Sequence, residues 1–220
     1  MGLDMYLSKV KKYGDASLRE VIMTDRYIDY TNDEKAKEYS FEAWCGGKDE
    51  LVRKDLIDEI RKDVTTKYYA WDIEHNYGYN GIVDEIGYWR KANQIHNWFV
   101  LNVQNGVDDC GEYEVSKEEL EELLDICREV LAASGLVDGK ICNGYTFKDG
   151  VEEAIIEDGK VIADSSVAES LLPTTHGFFF GGTDYDEYYY SDIEHTIEVL
   201  ESTLRDVDFE HEIVFYSSSW

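Results

Sequence analysis

The feature that most restricts the fold is the run from Ser116 to Ser134. Ser116 with Glu119 three residues later is a capping box: the serine hydroxyl takes the N–H of the third helical residue, and the glutamate reaches back to the serine N–H. Behind it Leu120, Leu123, Leu124, Cys127, Val130 and Leu131 recur at helical spacing. Glu118, Glu121, Glu122 and Asp125 fall on the other side, and Gly135 supplies a stop. The reading is a helix over Lys117–Ser134. A helix with one apolar stripe is stable only when another element covers that stripe.

The covering elements are a mixture. Alternation over Leu3–Val10 predicts a first strand, and Tyr39–Cys45 (YSFEAWC) alternates again up to Gly46-Gly47, predicting a second. Ala16–Met23 reads as a short helix and Asp49–Val64 as a longer one, with Leu51, Val52, Leu56, Ile57 and Ile60 in its stripe. Thr66–Ile73 has β-propensity and leads into the NYGYNG loop, Asn76–Gly81. Tyr88–Val103 is read as the central helix, with Tyr88, Ala92, Ile95, Phe99 and Val103 on its core face. Lys140–Ile162 changes to short alternating runs broken at Asp149-Gly150 and Asp158-Gly159, dipeptides favoured in tight hairpin turns. Ser165–Leu172 adds a helical turn or two before Pro173. Phe178–Phe180 reads as a buried strand, and Asp184 with Glu187 caps a helix running to about Asp206, with Tyr189, Ile193, Ile197, Leu200 and Leu204 inside. Glu210–Trp220 closes the chain as a strand. The expectation is one α+β domain over residues 1–220: a mixed or antiparallel sheet against three or four helices, with a β-rich hairpin insert at about 140–170.

Charge narrows the partners. The formal net charge is −27, and it is uneven: residues 1–100 carry 19 acidic and 15 basic side chains, residues 101–220 carry 29 and 6. Such a field repels nucleic acid backbones and anionic membranes and attracts basic proteins, so no direct nucleic-acid or membrane binding is expected. Cys45, Cys110, Cys127 and Cys142 are widely spaced, with no CxxC pair, which fits a reduced cytoplasmic protein. The start, MGLDMYLSKVKK, lacks the apolar run of a signal peptide, and Tyr6 stands where a myristoylation signal needs Ser or Thr. No apolar run is long enough to cross a bilayer.

Two segments carry chemistry. On the expected central helix, Trp89, Asn93 and His96 share one border of the core face, offering a stacking plane, an amide and an imidazole; Lys91 and Trp98 lie on the other border, and Arg90, Gln94 and Asn97 point outward. The second is the GGTDYDE turn, Gly181–Glu187. A glycine turn before a helix can hold a phosphate on its N–H groups, but Asp184, Asp186 and Glu187 already bring negative charge there. A phosphate at this turn therefore needs Arg90, Lys91 or His96 brought across in space. A plain capped helix, or a divalent cation on Asp184 and Asp186, are the alternatives, and the metal is left undetermined. Thr183, Tyr185 and Asp186 are counted with the turn as ligand-contacting candidates. No GxSxG, HExxH, Walker loop or GxGxxG occurs; a hydrolase using His96 or His176 with Asp184 or Asp186 has no supporting spacing, so no catalytic residue and no cofactor are assigned.

The start MGLDMYL, the centre GYWRKANQIHNWFV followed by VQNGVDDCGEY, and LPTTHGFFFGGTDYDEYYY together resemble a family of small proteins of phages, prophages and bacteria. The stretch 140–170 is longer than that pattern. The resemblance brings no settled activity; it implies a phage setting, in the host cytoplasm, where accessory proteins counter host defence. Three functions are expected to compete: a protein that sequesters a small nucleotide-like ligand, an acidic inhibitor that imitates nucleic acid or docks on a basic host protein, and a nucleotide hydrolase. A homo-oligomer is compatible with each.

Overall fold

The computed structural model describes residues 2–69, 78–148, 151–177 and 179–220. In chain order they form β1 (Asp4–Lys11), α1 (Leu18–Asn32), α2 (Phe41–Trp44), α3 (Ile57–Asp63), β2 (Thr65–Tyr68), β3 (Gly78–Gly81), β4 (Asp84–Arg90), α4 (Asn93–Asn102), β5 (Tyr113–Glu114), α5 (Lys117–Ala133), β6 (Leu136–Lys148), β7 (Val151–Ile162), α6 (Ser166–Leu171), α7 (Glu187–Asp206) and β8 (Glu212–Ser219). Short 3-10 turns occupy Ala36–Glu38 and Asp49–Leu51. One four-stranded sheet has the order β4-β1-β8-β5, and β2-β3 and β6-β7 are antiparallel pairs. The fold is α+β, as the periodicities predict, but with seven α-helices among the described residues rather than three or four. No helix among them is long and apolar enough to cross a membrane.

The chain divides into two compact units, one made of residues 2–6, Gly87–Val207 and Tyr216–Trp220, the other of Leu7–Ile86 and Asp208–Phe215. The second unit has a core of Val10, Tyr13, Leu18, Val21, Ile22, Ile28, Ile60, Ile82 and Phe215. Its helix α1 is opened by a capping box, Ser17 with Glu20, and runs well past the expected end at Met23. Asp63 accepts from Tyr13 OH at 3.0 Å and from Lys11 Nζ at 2.8 Å.

Two expectations fail in this unit for local reasons. Tyr39–Cys45 is not a strand: Ser40 Oγ accepts the Ala43 N–H at 3.2 Å and caps the short α2, so a satisfied helix start overrides a brief alternation. Asp49–Val64 is not one helix: the Arg53 N–H goes to Thr24 Oγ1 at 2.9 Å, and its guanidinium pairs with Asp15 and Asp55, so the chain leaves the helical ladder before α3. The expected strand through Ile73 ends at Tyr68 as far as it is described; residues 70–77, which include the start of the NYGYNG loop, lie outside the described residues.

In the first unit, α5 follows the sequence closely. Both halves of its capping box are formed, and Leu120, Leu123, Leu124, Cys127 and Val130 are buried, with α5 packed on α7 and α6. Each such side chain removed from water contributes roughly 1.5–3 kcal/mol. The hairpin is longer and more regular than expected. Asp158-Gly159 is no turn but lies inside β7, where Gly159 stands opposite Gly139. The glycines are there for packing: a Cβ on Gly139 would come 2.7 Å from Val161 Cγ2, and one on Gly159 would come 2.6 Å from Ile141 Cδ1. The Asp149-Gly150 turn lies outside the described residues. Helix α7 ends at Asp206 as expected, but its cap is Asp186 rather than Asp184, and it buries Thr196, Val199 and Thr203 beside Tyr189, Ile193 and Leu200.

Tyr88–Val103 is not one central helix. Tyr88, Trp89 and Arg90 finish strand β4, Lys91 takes a left-handed backbone with φ 63°, and the helix begins only at Asn93. Nothing at position 91 marks a break in the way glycine or proline does. Phe178–Phe180 forms no strand among its described residues, because Phe179 is left-handed at φ 68°; Phe178 lies outside them.

Candidate functional site

The candidate site is built where that strand-to-helix junction meets the loop before α7, within the first unit. The Lys91 N–H donates to Leu3 O at 2.8 Å, and the Leu3 N–H donates to Phe179 O at 3.3 Å, so both left-handed residues are tied to one short segment. Gly181, with φ 97°, sits directly against the junction: a Cβ there would lie 2.9 Å from Lys91 Cβ and 3.0 Å from Lys91 O. Only glycine suits that position, on both conformation and space. Gly2 is similarly close, with a built Cβ 3.3 Å from Lys91 Cε and 3.6 Å from Arg90 Nη2.

Asn93 holds this arrangement together. It is 1% exposed; its Nδ2 donates to Phe180 O at 3.2 Å and Gly182 O at 2.7 Å, and its Oδ1 accepts the Thr175 N–H at 2.8 Å. One amide therefore fixes both ends of the 175–182 loop against the start of α4. Left-handed non-glycine residues cost of order 1–3 kcal/mol each and persist where their surroundings over-determine them. Three Asn93 bonds and two backbone bonds supply that constraint at Lys91 and Phe179.

Outward, the junction presents two cations and an aromatic ring. Phe179 is 45% exposed. The Arg90 side chain is exposed, with Nη1 3.7 Å from Asp4 Oδ1, and Asp4 Oδ1 also accepts from Tyr88 OH at 2.5 Å. Burial and Asp4 push the Tyr88 phenol up to about 12, so it stays a donor. The Lys91 ammonium is exposed and has no hydrogen-bond or ion-pair partner among the described residues.

The other expected residues face elsewhere. Trp89 is buried, donating Nε1 to Thr196 Oγ1 at 2.9 Å. His96 is buried in a hydrogen-bonded line: Nδ1 meets Tyr216 OH at 2.7 Å, Nε2 meets Asp108 Oδ2 at 3.1 Å, and Asp108 Oδ1 accepts from Trp220 Nε1 at 3.0 Å. Burial lowers the His96 pKa and Asp108 opposes that shift; burial raises the Tyr216 phenol well above its ordinary range. Thr183 and Tyr185 are partly buried and tied to Thr174, through Thr183 O accepting from Oγ1 at 3.0 Å and Tyr185 OH accepting the Thr174 N–H at 3.3 Å.

Asp186 is buried and spends Oδ1 on the Tyr188 and Tyr189 N–H groups, at 2.9 and 3.2 Å. The α7 N-terminus thus holds its own anion, while Asp184 is exposed. Among the described residues no group of three or more His, Cys, Asp or Glu is placed to hold a metal ion.

The two motif segments therefore meet, through Asn93 with Gly182 and Lys91 with Gly181, while Trp89, His96 and Asp186 are engaged by partners inside the fold. Sequence reasoning missed Gly2, Thr175 and Phe179; the only hints were the glycine pair and the triple phenylalanine. Gln94, expected to point away from the core, is instead buried with Nε2 donating to Asp192 Oδ2 at 3.1 Å, because the helix begins only at Asn93; sequence reasoning also missed Asp192, whose carboxyl burial lifts to about 6. Comparison with protein-family models, curated proteins and solved structures gives no match.

Proposed function

We propose that this protein binds and sequesters a small nucleotide-like ligand at the Lys91–Phe179–Gly181 junction, without turning it over. The observation that carries the reading is the pair of left-handed non-glycine residues, Lys91 and Phe179, braced by Asn93 and presenting their side chains outward. Lys91 and Arg90 suit a phosphate, the exposed Phe179 ring suits a planar base, and Gly182, where nothing lies within 4 Å of a built Cβ, lets a ligand approach the backbone closely. Binding is favoured over hydrolysis because both His96 ring nitrogens are already engaged by Asp108 and Tyr216. The phage-family resemblance suggests a host-cytoplasm setting in which a captured signal nucleotide would be withheld from defence enzymes. Calorimetric titration with cyclic and ADP-ribose-type nucleotides, followed by chromatography of the ligand, tests this: heat with at least one, and intact recovery, are expected. No heat from a folded sample overturns binding, and an altered ligand overturns sequestration.

A second reading rests on the 29 acidic against 6 basic side chains of residues 101–220, with Glu118, Glu121, Glu122 and Asp125 exposed along α5. It is an acidic inhibitor docked on a basic host protein. Pull-down at low and high salt distinguishes the two, since this mode loses its partner as salt rises and the pocket mode needs none.

A further inference from the structure

The ribbon β6–β7 is a sheet of two strands, tied at its base by a bridge from Val161 to Asp186 and by the Ile162 N–H donating to Tyr185 O at 2.9 Å. Directly opposed residues share a face, which sorts its side chains. One face packs on α7 around Ile141, which is 4% exposed, and a Cβ on Gly159 would lie 2.9 Å from Glu187 Oε1 of α7; at the base itself Val137 of this face is 46% exposed and Ile162 of the other face is buried. The other face carries Lys140 opposite Asp158, Cys142 opposite Ile156 and, past a bulge, Tyr145 opposite Ala154. On it Tyr145 is 62% and Ile156 56% exposed. A two-stranded ribbon is marginal by itself, and a contiguous apolar strip at the surface marks an interaction site.

We infer that a second copy of this chain covers the strip, the two ribbons stacked face to face about a two-fold axis along their length. That operation lays each strand over the opposite strand of its partner without a shift, so every cross-strand pair meets itself reversed. Tyr145 falls over the partner's Ala154, Ile156 over the partner's Cys142, and Lys140 over the partner's Asp158. Large side chains meet small ones and a cation meets a carboxylate, the self-complementarity that an isologous interface requires. Stacked sheets sit about 10 Å apart, a gap filled by interdigitating side chains of this size. Lys140 also matters because few cations oppose the net charge of −27, and it is held on the ribbon by Asp158 at 2.6 Å. The strip is narrow against the roughly 1,200–2,000 Å² of a standard interface, so the dimer is weak and dissociates on dilution.

Sedimentation velocity of the full chain tests this, over a range of micromolar concentrations at moderate salt. A concentration-dependent dimer is expected, and Ile156→Lys should sediment as a monomer throughout with an unchanged thermal unfolding transition, because the strip is exposed. Lys140→Asp and Asp158→Lys should each weaken the dimer alone, whereas mixing the two variants restores opposite charges at both crossings and brings the dimer back. A wild-type monomer at every concentration overturns the inference and leaves the strip to a partner of another kind. A dimer that survives Ile156→Lys, or a mixture no more associated than either variant alone, overturns it equally.

Discussion

Residues 89–96 contain two populations of polar side chain that the sequence sets side by side and the fold separates. Asn93, Gln94 and His96 are buried, Asn93 bonded to backbone groups of Thr175, Phe180 and Gly182 and the other two to side chains, and the Trp89 indole N–H is likewise taken up inside. Arg90 and Lys91 face solvent at a junction whose backbone is held away from its preferred conformation. The difference teaches that unusual residue types do not by themselves mark a site. The inward group spends its hydrogen-bonding capacity on the fold, and the outward pair has capacity left over because that group holds the backbone beneath it.

The largest effect should come from breaking the brace. Asn93→Ala removes three hydrogen bonds and leaves the Thr175 N–H and two loop carbonyls without their partner. At about 1 kcal/mol per bond, the loss is on the order of 3 kcal/mol. Urea unfolding should register it, and nucleotide binding should vanish with it. If stability falls by less than about 1 kcal/mol, the reading of Asn93 as the constraint on Lys91 and Phe179 is wrong.

The 3.6 period placed Trp89, Asn93 and His96 on one helical border, yet Trp89 belongs to a strand and the other two to a helix, with Lys91 between them in a conformation no local residue announces. A 3.6-residue period does not hold across that change from strand to helix. Where start signals are local the reading carried through: Ser116 with Glu119 opens α5, and the alternating run after Lys140 is a hairpin. Asp186 displaced Asp184 as cap because a carboxylate two and three residues ahead of the N–H groups it accepts has the right reach. Glycine pairs were legible as glycine but not as to purpose: Gly159 lets a neighbouring side chain in, and Gly181 lets a neighbouring backbone in.

Of intermediate size is a pH effect on the inward group. Burial, opposed by the bond from Gln94, lifts the Asp192 carboxyl to about 6 from an ordinary value of 3.8. The folded chain therefore keeps this proton up to about pH 6 while the unfolded chain releases it near pH 4. Stability from this group is greatest below that window, falls as pH rises through it and is flat above it. Asp192→Asn removes the ionisable group, so the variant should gain about 2 kcal/mol relative to wild type between pH 4 and pH 7. Asp25 in the other unit, also lifted to about 6 by burial, contributes the same sign to both proteins and cancels in the difference. Parallel stability profiles for the two chains would show that Asp192 is not buried in its charged form, and Gln94 would lose the buried partner that sets it in the inward group.

The smallest effect on stability belongs to the outward group, and it separates the two populations most sharply. Lys91→Ala leaves every backbone bond of the junction in place, since the Lys91 N–H to Leu3 and the Asn93 N–H to Lys91 O are main-chain contacts. Its ammonium has no partner among the described residues to lose, so unfolding should shift by no more than about 0.5 kcal/mol. A lysine that contacts a phosphate through a charge-assisted hydrogen bond is worth about 1.5–3 kcal/mol, so nucleotide affinity should fall by roughly tenfold to a hundredfold. Lys91→Gly offers the complementary measurement: it relieves the left-handed strain at φ 63° and should raise stability while still abolishing the phosphate contact. A Lys91→Ala protein that binds every tested nucleotide as wild type does, while Lys91→Gly is stabilised, would mean that the strain at this junction serves the turn alone, and the outward group would then have no ligand to explain.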